Sequence, residues 1–128
     1  MIEAERQQLS VVQFLEQIAQ KIGDTEAALC SITVAELARG IYRADAPERR
    51  ERRRTFLDGL KAAVPVYPIT GSTAELVGKI GAESSALGMT IPFDGLLIGA
   101  CALELGYGVA TRNRRHFEKI HGLNLIAF

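Results

Sequence analysis

The chain has 128 residues, enough for one ordinary domain with its own hydrophobic core. Apolar residues make up 48% and charged residues 23%, and 15 basic side chains balance 15 acidic ones, which excludes a generally cationic nucleic-acid coat and leaves only local patches. No apolar run approaches the ~20 residues of a membrane span, and "MIEAERQQLS" lacks the basic-then-apolar pattern of a secretory signal, so a cytoplasmic protein is expected, with Cys30 and Cys101 as buried thiols.

In chain order, Ser10 and Gln13, with Leu9 just before, fit a capping box with a hydrophobic staple. Val11, Val12, Phe14, Leu15, Ile18 and Ile22 then follow a helical stripe that stops at Gly23. The apolar run "AALCSI" over 27–32 reads as a buried strand, after which Thr33 caps a helix to about Tyr42. A second helix lies within 45–63, with Pro47 in its first turn. "VPVYPI" (64–69) is strand-like, its prolines arguing for a short or edge strand. Further helices are expected from about Ser72 to Leu87, stopped by Gly88, and from about Pro92 to Leu105, stopped by Gly106. "YGVATR" (107–112) and "LNLIAF" (123–128) are the last strands.

Strands that alternate with helices point to an α/β domain with a mainly parallel sheet. In such sheets ligands gather at the carboxyl ends of strands and the amino ends of the following helices. That rule selects Glu36, Asp94, and the group Thr111, Arg112 and Asn113. Carboxylates held together repel one another, and a divalent cation is the usual remedy. Oxygen donors of this kind suit Mg2+ or Mn2+, which can activate water and offset charge on a phosphate.

Spacing alone leaves plainer readings open. Glu36, three residues after Thr33, fits a capping box, and Asp94 could simply complement the helix dipole. Asn113 could be a polar turn, His116 and Phe117 loop packing, and His121 surface. The arginines at 49, 50, 52, 53 and 54, interleaved with Glu48 and Glu51, read as a solvated helix face, with contact to RNA or a protein partner equally open. A metal-binding Cys/His cluster, a phosphate-binding glycine loop and a nucleophile elbow are all absent from the sequence.

Taken together, "SITVAELARGIYRA" (31–44), "IPFDGLLIGACALELGYGVATRN" (91–113) and "RHFEKIHGLNLI" (115–126) resemble the PIN-domain family, and look most like the VapC toxins of bacterial toxin–antitoxin systems. The resemblance runs over nearly the whole chain, 1–128, as one PIN-like domain. It implies a three-layer α/β/α fold with a mainly parallel central sheet and an endoribonuclease dependent on Mg2+ or Mn2+. By position, Glu36 and Asp94 match two of the family's metal-binding acids, and Asn113 stands where many members carry a further acid and others an asparagine. Thr33 and Thr111 lie beside these positions as supporting hydrogen-bond partners. Arg112, Arg114 and Arg115 are candidates for RNA phosphate contacts. The resemblance further implies a homodimer neutralised by a small cognate antitoxin, with RNA as substrate and no membrane association.

One departure accompanies these matches. Family members begin with a strand ending in a metal-binding aspartate, whereas this chain begins at "MIEAER", which resembles the residues just after that strand. The first strand and its aspartate are therefore expected to be missing, through either a start assigned too far downstream or a genuine truncation. Glu3 and Glu5 do not stand at the aspartate's position. This motivates a rival reading, a PIN-like module that binds antitoxin or RNA without cleaving.

Overall fold

Ser10 and Gln13 cap each other at the first helix, α1 (Val11–Ile22). The Gln13 amide donates to Ser10 Oγ at 3.2 Å and the Ser10 amide donates to Gln13 Oε1 at 3.0 Å, so two otherwise orphaned N–H groups are satisfied. Gly23, at φ 72°, takes the backbone out of the helix, as expected. This computed structural model describes residues 9–23, 26–111 and 113–127. The expectations for the chain's first residues and for Arg112 lie outside that set. The chain divides into two compact units, Met1–Tyr67 and Pro68–Phe128.

In the first unit, α1 is followed by β1 (Leu29–Cys30), α2 (Ser31–Arg43), α3 (Pro47–Ala63) and β2 (Val66–Tyr67). The strands pair in parallel, Leu29 opposite Val66 and Cys30 opposite Tyr67. The predicted strand over 27–32 is thus cut to two residues. Ser31 and Ile32 are instead helical, because a short apolar run alone does not distinguish a strand from a buried helix start. The predicted cap at Thr33 is corrected accordingly: Cys30 is the N-cap, and Thr33 is the third helical residue. β2 is confined between Pro65 and Pro68, which offer no amide to a ladder. Pro47 opens α3 at N1, as predicted.

Two contacts knit these helices. Phe14 meets Phe56 edge-on with ring centroids 5.6 Å apart. Gly59 allows Val11 to come close, since a Cβ there would lie 2.7 Å from Val11 Cγ2. The arginine run is only partly the solvated face that the sequence predicts. Arg53 Nη1 donates to the Gly40 carbonyl at 2.6 Å and Arg50 Nη2 to the Ala44 carbonyl at 2.8 Å. Arg54 lies over the Tyr42 ring, 5.8 Å from its centroid, and donates to the Tyr42 hydroxyl. The last turn of α2 leaves carbonyls without intrahelical donors, and α3 supplies guanidinium groups to them.

The second unit contains α4 (Gly71–Ala86), α5 (Phe93–Leu105), β3 (Val109–Thr111), a 3-10 turn (Arg114–His116) and β4 (Leu125–Ala127). β3 and β4 are parallel, with Val109 opposite Leu125 and Thr111 opposite Ala127. Thr70 and Thr73 form a reciprocal cap at α4. At its other end the Met89 amide donates to the Ser84 carbonyl and the Gly88 amide to that of Ser85, a Schellman closure that needs the φ of 73° found at Gly88. α5 is apolar nearly all round because both flanks are covered. Leu96 and Ala100 join Val77 and Ile80 of α4, together with Val109, Phe117 and Ile120, in one buried cluster. Glu104, in the last turn of α5, accepts from Ser72 Oγ at 2.6 Å and from the fully buried Thr73 Oγ1 at 2.5 Å, joining the end of α5 to the start of α4.

The result is an α/β arrangement in which the strands described form two two-stranded parallel ladders. Neither Cys30 nor Cys101 is in a disulfide; Cys101 is buried, as expected, whereas Cys30 is only half-buried. Among the described residues no helix is long and apolar enough to cross a membrane.

Candidate functional site

Pro92 is the N-cap of α5 and offers no side-chain hydrogen bond to the helix. Asp94, at the second helical position, takes over part of that role: its Oδ1 accepts from the Gly95 amide at 2.9 Å. A carboxylate in the first turn is also favoured by the positive end of the helix dipole. The plain structural reading of Asp94 therefore holds, yet it accounts for only one oxygen. Oδ2 has no hydrogen-bond partner among the described residues, and the side chain is half-buried rather than sealed.

Gly95 determines what faces that carboxylate. A Cβ at this position would lie 2.8 Å from the carbonyl oxygen of His116, so only glycine allows the 3-10 turn to rest on the first turn of α5. The same turn carries Asn113. Its amide N–H donates to Thr111 Oγ1 at 2.9 Å, and its Nδ2 lies 3.0 Å from His116 Nε2. Asp94, Thr111, Asn113, Arg114 and Arg115 are thus gathered at one end of the second unit, the two arginines exposed at the start of the 3-10 turn. Arg112 lies outside the described residues.

Glu36 and Thr33 belong to the first unit. Glu36 is exposed on α2, one turn beyond Thr33. Because α2 begins at Ser31, Glu36 is not the third residue of a capping box, and that explanation of its position falls. Among the described residues no three His, Cys, Asp or Glu side chains are grouped so as to hold a metal ion.

Sequence reasoning misses two contributors. His116 reads as loop packing, although its spacing of three from Asn113 is that of a one-turn contact. Gly95 draws no notice in the sequence, although a glycine in the first turn of a buried helix signals a close backbone approach.

The model of the PIN domain matches residues 1–123. The chain belongs to the PIN domain family. The VapC protein of Shigella flexneri, named a tRNA(fMet)-specific endonuclease, is 28% identical over 109 residues, covering 83% of this chain and 80% of that protein. Its counterpart of the same name from Salmonella typhimurium is 29% identical over 113 residues, 86% of this chain and 83% of that one. Among solved structures, DNA-bound VapBC from Salmonella typhimurium superposes with a TM-score of 0.80 at 22% identity, covering 98% of this chain and 90% of its own. VapBC2 from Rickettsia felis, bound to a promoter DNA fragment, gives 0.75 at 24% identity, with 89% and 81% covered. These likenesses establish the PIN fold inferred from "TVAEL", "PFD" and "TRN".

Proposed function

We propose that this PIN domain, taken as one domain over 1–128, is an endoribonuclease toxin of the VapC type. It hydrolyses RNA phosphodiesters in the cytoplasm, acts as a homodimer and is neutralised by a small cognate antitoxin. The observation that carries the reading is Asp94: a half-buried carboxylate at a helix mouth, with one oxygen on the Gly95 amide and the other without a partner among the described residues, beside the turn that bears Asn113. The two VapC relatives, named as endonucleases, support the activity, and the VapBC complexes support the partner.

Glu36 and Asp94 would hold a Mg2+ or Mn2+ ion. Such an ion, when bound, supplies an activated water and offsets charge on the phosphate. Asn113 orients the substrate or the water through its amide, and Thr111 fixes the Asn113 backbone. Thr33, one helical turn before Glu36, supports that carboxylate. Arg112, Arg114 and Arg115 contact the RNA backbone.

The deciding experiment is cleavage of RNA by the 128-residue chain with Mg2+ or Mn2+, beside Asp94→Asn. Cleavage should fall by more than the roughly 100-fold that loss of an outer-shell partner costs, with the circular dichroism spectrum unchanged. Undiminished cleavage overturns the assignment. A module that binds without cleaving is the second reading, favoured by the amide at Asn113 and the want of a three-ligand cluster among the described residues. It predicts no cleavage by either protein.

A further inference from the structure

Phe93 is the first residue of α5, immediately before Asp94, and 69% of its surface is exposed. Pro92 before it is also exposed and Asp94 after it is half-buried, while Ile91, Gly95 and Leu96 are buried. Phe93 is the only phenylalanine among the exposed large hydrophobic residues described; Phe117, for instance, is only 6% exposed. Leaving a benzyl ring in water forgoes burial worth about 1.5–3 kcal/mol, so the ring is available to whatever approaches Asp94.

Its neighbours indicate what that is. Because Gly95 lies against His116, the turn carrying Arg114 and Arg115 rests on the same first turn of α5, with both arginines exposed. Proteins that bind single-stranded nucleic acid combine cations along the phosphates with exposed aromatic rings on which bases stack. A ring, two guanidinium groups and the reactive carboxylate at one helix end form that combination. A protein partner would be served by a broader apolar face, whereas along the chain beside Phe93 only Pro92 extends it before the half-buried carboxylate of Asp94 interrupts it.

We infer that Phe93 is a stacking platform for one unpaired base of the RNA, next to the phosphate that faces Asp94. This deepens the nuclease reading and rests on it for the position of that phosphate, but it concerns binding and can be measured without cleavage. Stacking on an aromatic face tolerates any base, so Phe93 sets single-strandedness at the site rather than sequence.

The chain contains no tryptophan, so Phe93→Trp introduces a single indole at the platform, excited apart from the three tyrosines. The probe is a single-stranded RNA 12-mer of mixed sequence, titrated in EDTA so that no turnover intervenes, against wild type, Phe93→Trp, Phe93→Tyr, Phe93→Leu and Phe93→Ala. Expected are quenching of the indole fluorescence in Phe93→Trp, affinity kept in Phe93→Tyr, and a Kd raised roughly 5- to 150-fold in both Phe93→Ala and Phe93→Leu, the value of one base–aromatic stack. Unchanged affinity in Phe93→Ala, full affinity in Phe93→Leu, or absence of RNA binding by wild type each overturns the inference; the first of these would leave the ring to a protein partner. Failure of the nuclease reading alone looks different: the binding differences persist while no protein cleaves RNA with Mg2+ or Mn2+.

Discussion

Gly95 stands so close to His116 that a single added methyl group would come within 2.8 Å of its carbonyl oxygen. That contact is the hinge on which the site in the second unit depends, because Asp94 lies on one side of it and Asn113 on the other. Gly95→Ala must push the 3-10 turn off α5, since backbone cannot turn aside as a flexible side chain can. A loss of about 1–3 kcal/mol of stability is expected, as for other overpacked sites, together with reduced RNA cleavage. Urea denaturation and cleavage rates measure the two effects, and an unchanged midpoint would contradict the close approach.

Arginines of α3 should differ sharply in what their loss does. Arg53→Ala removes a guanidinium bonded to the Gly40 carbonyl at 2.6 Å and should destabilise by about 1.5–3 kcal/mol. Arg52 is exposed on the same helix, and Arg52→Ala should stay within about 0.5 kcal/mol of wild type. Thermal unfolding of the two variants side by side provides the comparison.

Glu104 brings a pH dependence with a definite sign. Hydrogen bonds from Ser72 and then Thr73 hold its carboxyl below the ordinary value of 4.5. A carboxyl whose folded value is depressed contributes stability that is fully present above 4.5 and is lost as pH falls through the lowered folded value. Glu104→Gln should therefore lower the urea midpoint at pH 7, and the two proteins should converge in acid below 4.5. A constant difference down to pH 3 would rule out the ionised carboxylate as the cause.

Glu36→Gln and Asp94→Asn test the two metal ligands of the proposed function. Calorimetric titration with Mn2+ should lose its saturable heat in either variant, with affinity lowered at least roughly 10-fold. Full Mn2+ binding in Glu36→Gln would remove that residue from the site.

Much of this is legible without any coordinates. Capping at Ser10, Pro47 at the start of α3, and the glycine stops at 23, 88 and 106 are local effects, carried by a few adjacent residues, and the structure has all of them. Strand lengths are overestimated from sequence, because residues 27–32 are apolar whether extended or helical, and pairing partners decide between the two. Asp94 can be placed at a helix mouth from "IPFD" alone. The Asn113–His116 pairing has only a spacing of three to announce it, and the Gly95 contact depends on a turn folding back on a helix about 20 residues earlier, whose partner the glycine alone does not name. The arginines mislead for a related reason: their carbonyl acceptors lie on α2 and just after it, up to 13 residues away.

Those arginines have a consequence for electrostatics at a distance. Counting positive charges along α3 overstates what an approaching polyanion meets. Between residues 45 and 63 there are five arginines and Lys61, but Asp45, Glu48, Glu51 and Asp58 leave a net of two positive charges. Arg50 and Arg53 are directed at carbonyls near the negative end of α2, whose dipole offsets them further. This helix should therefore release few counterions when RNA binds, and the affinity should fall with rising salt along a shallow slope governed by cations elsewhere in the chain.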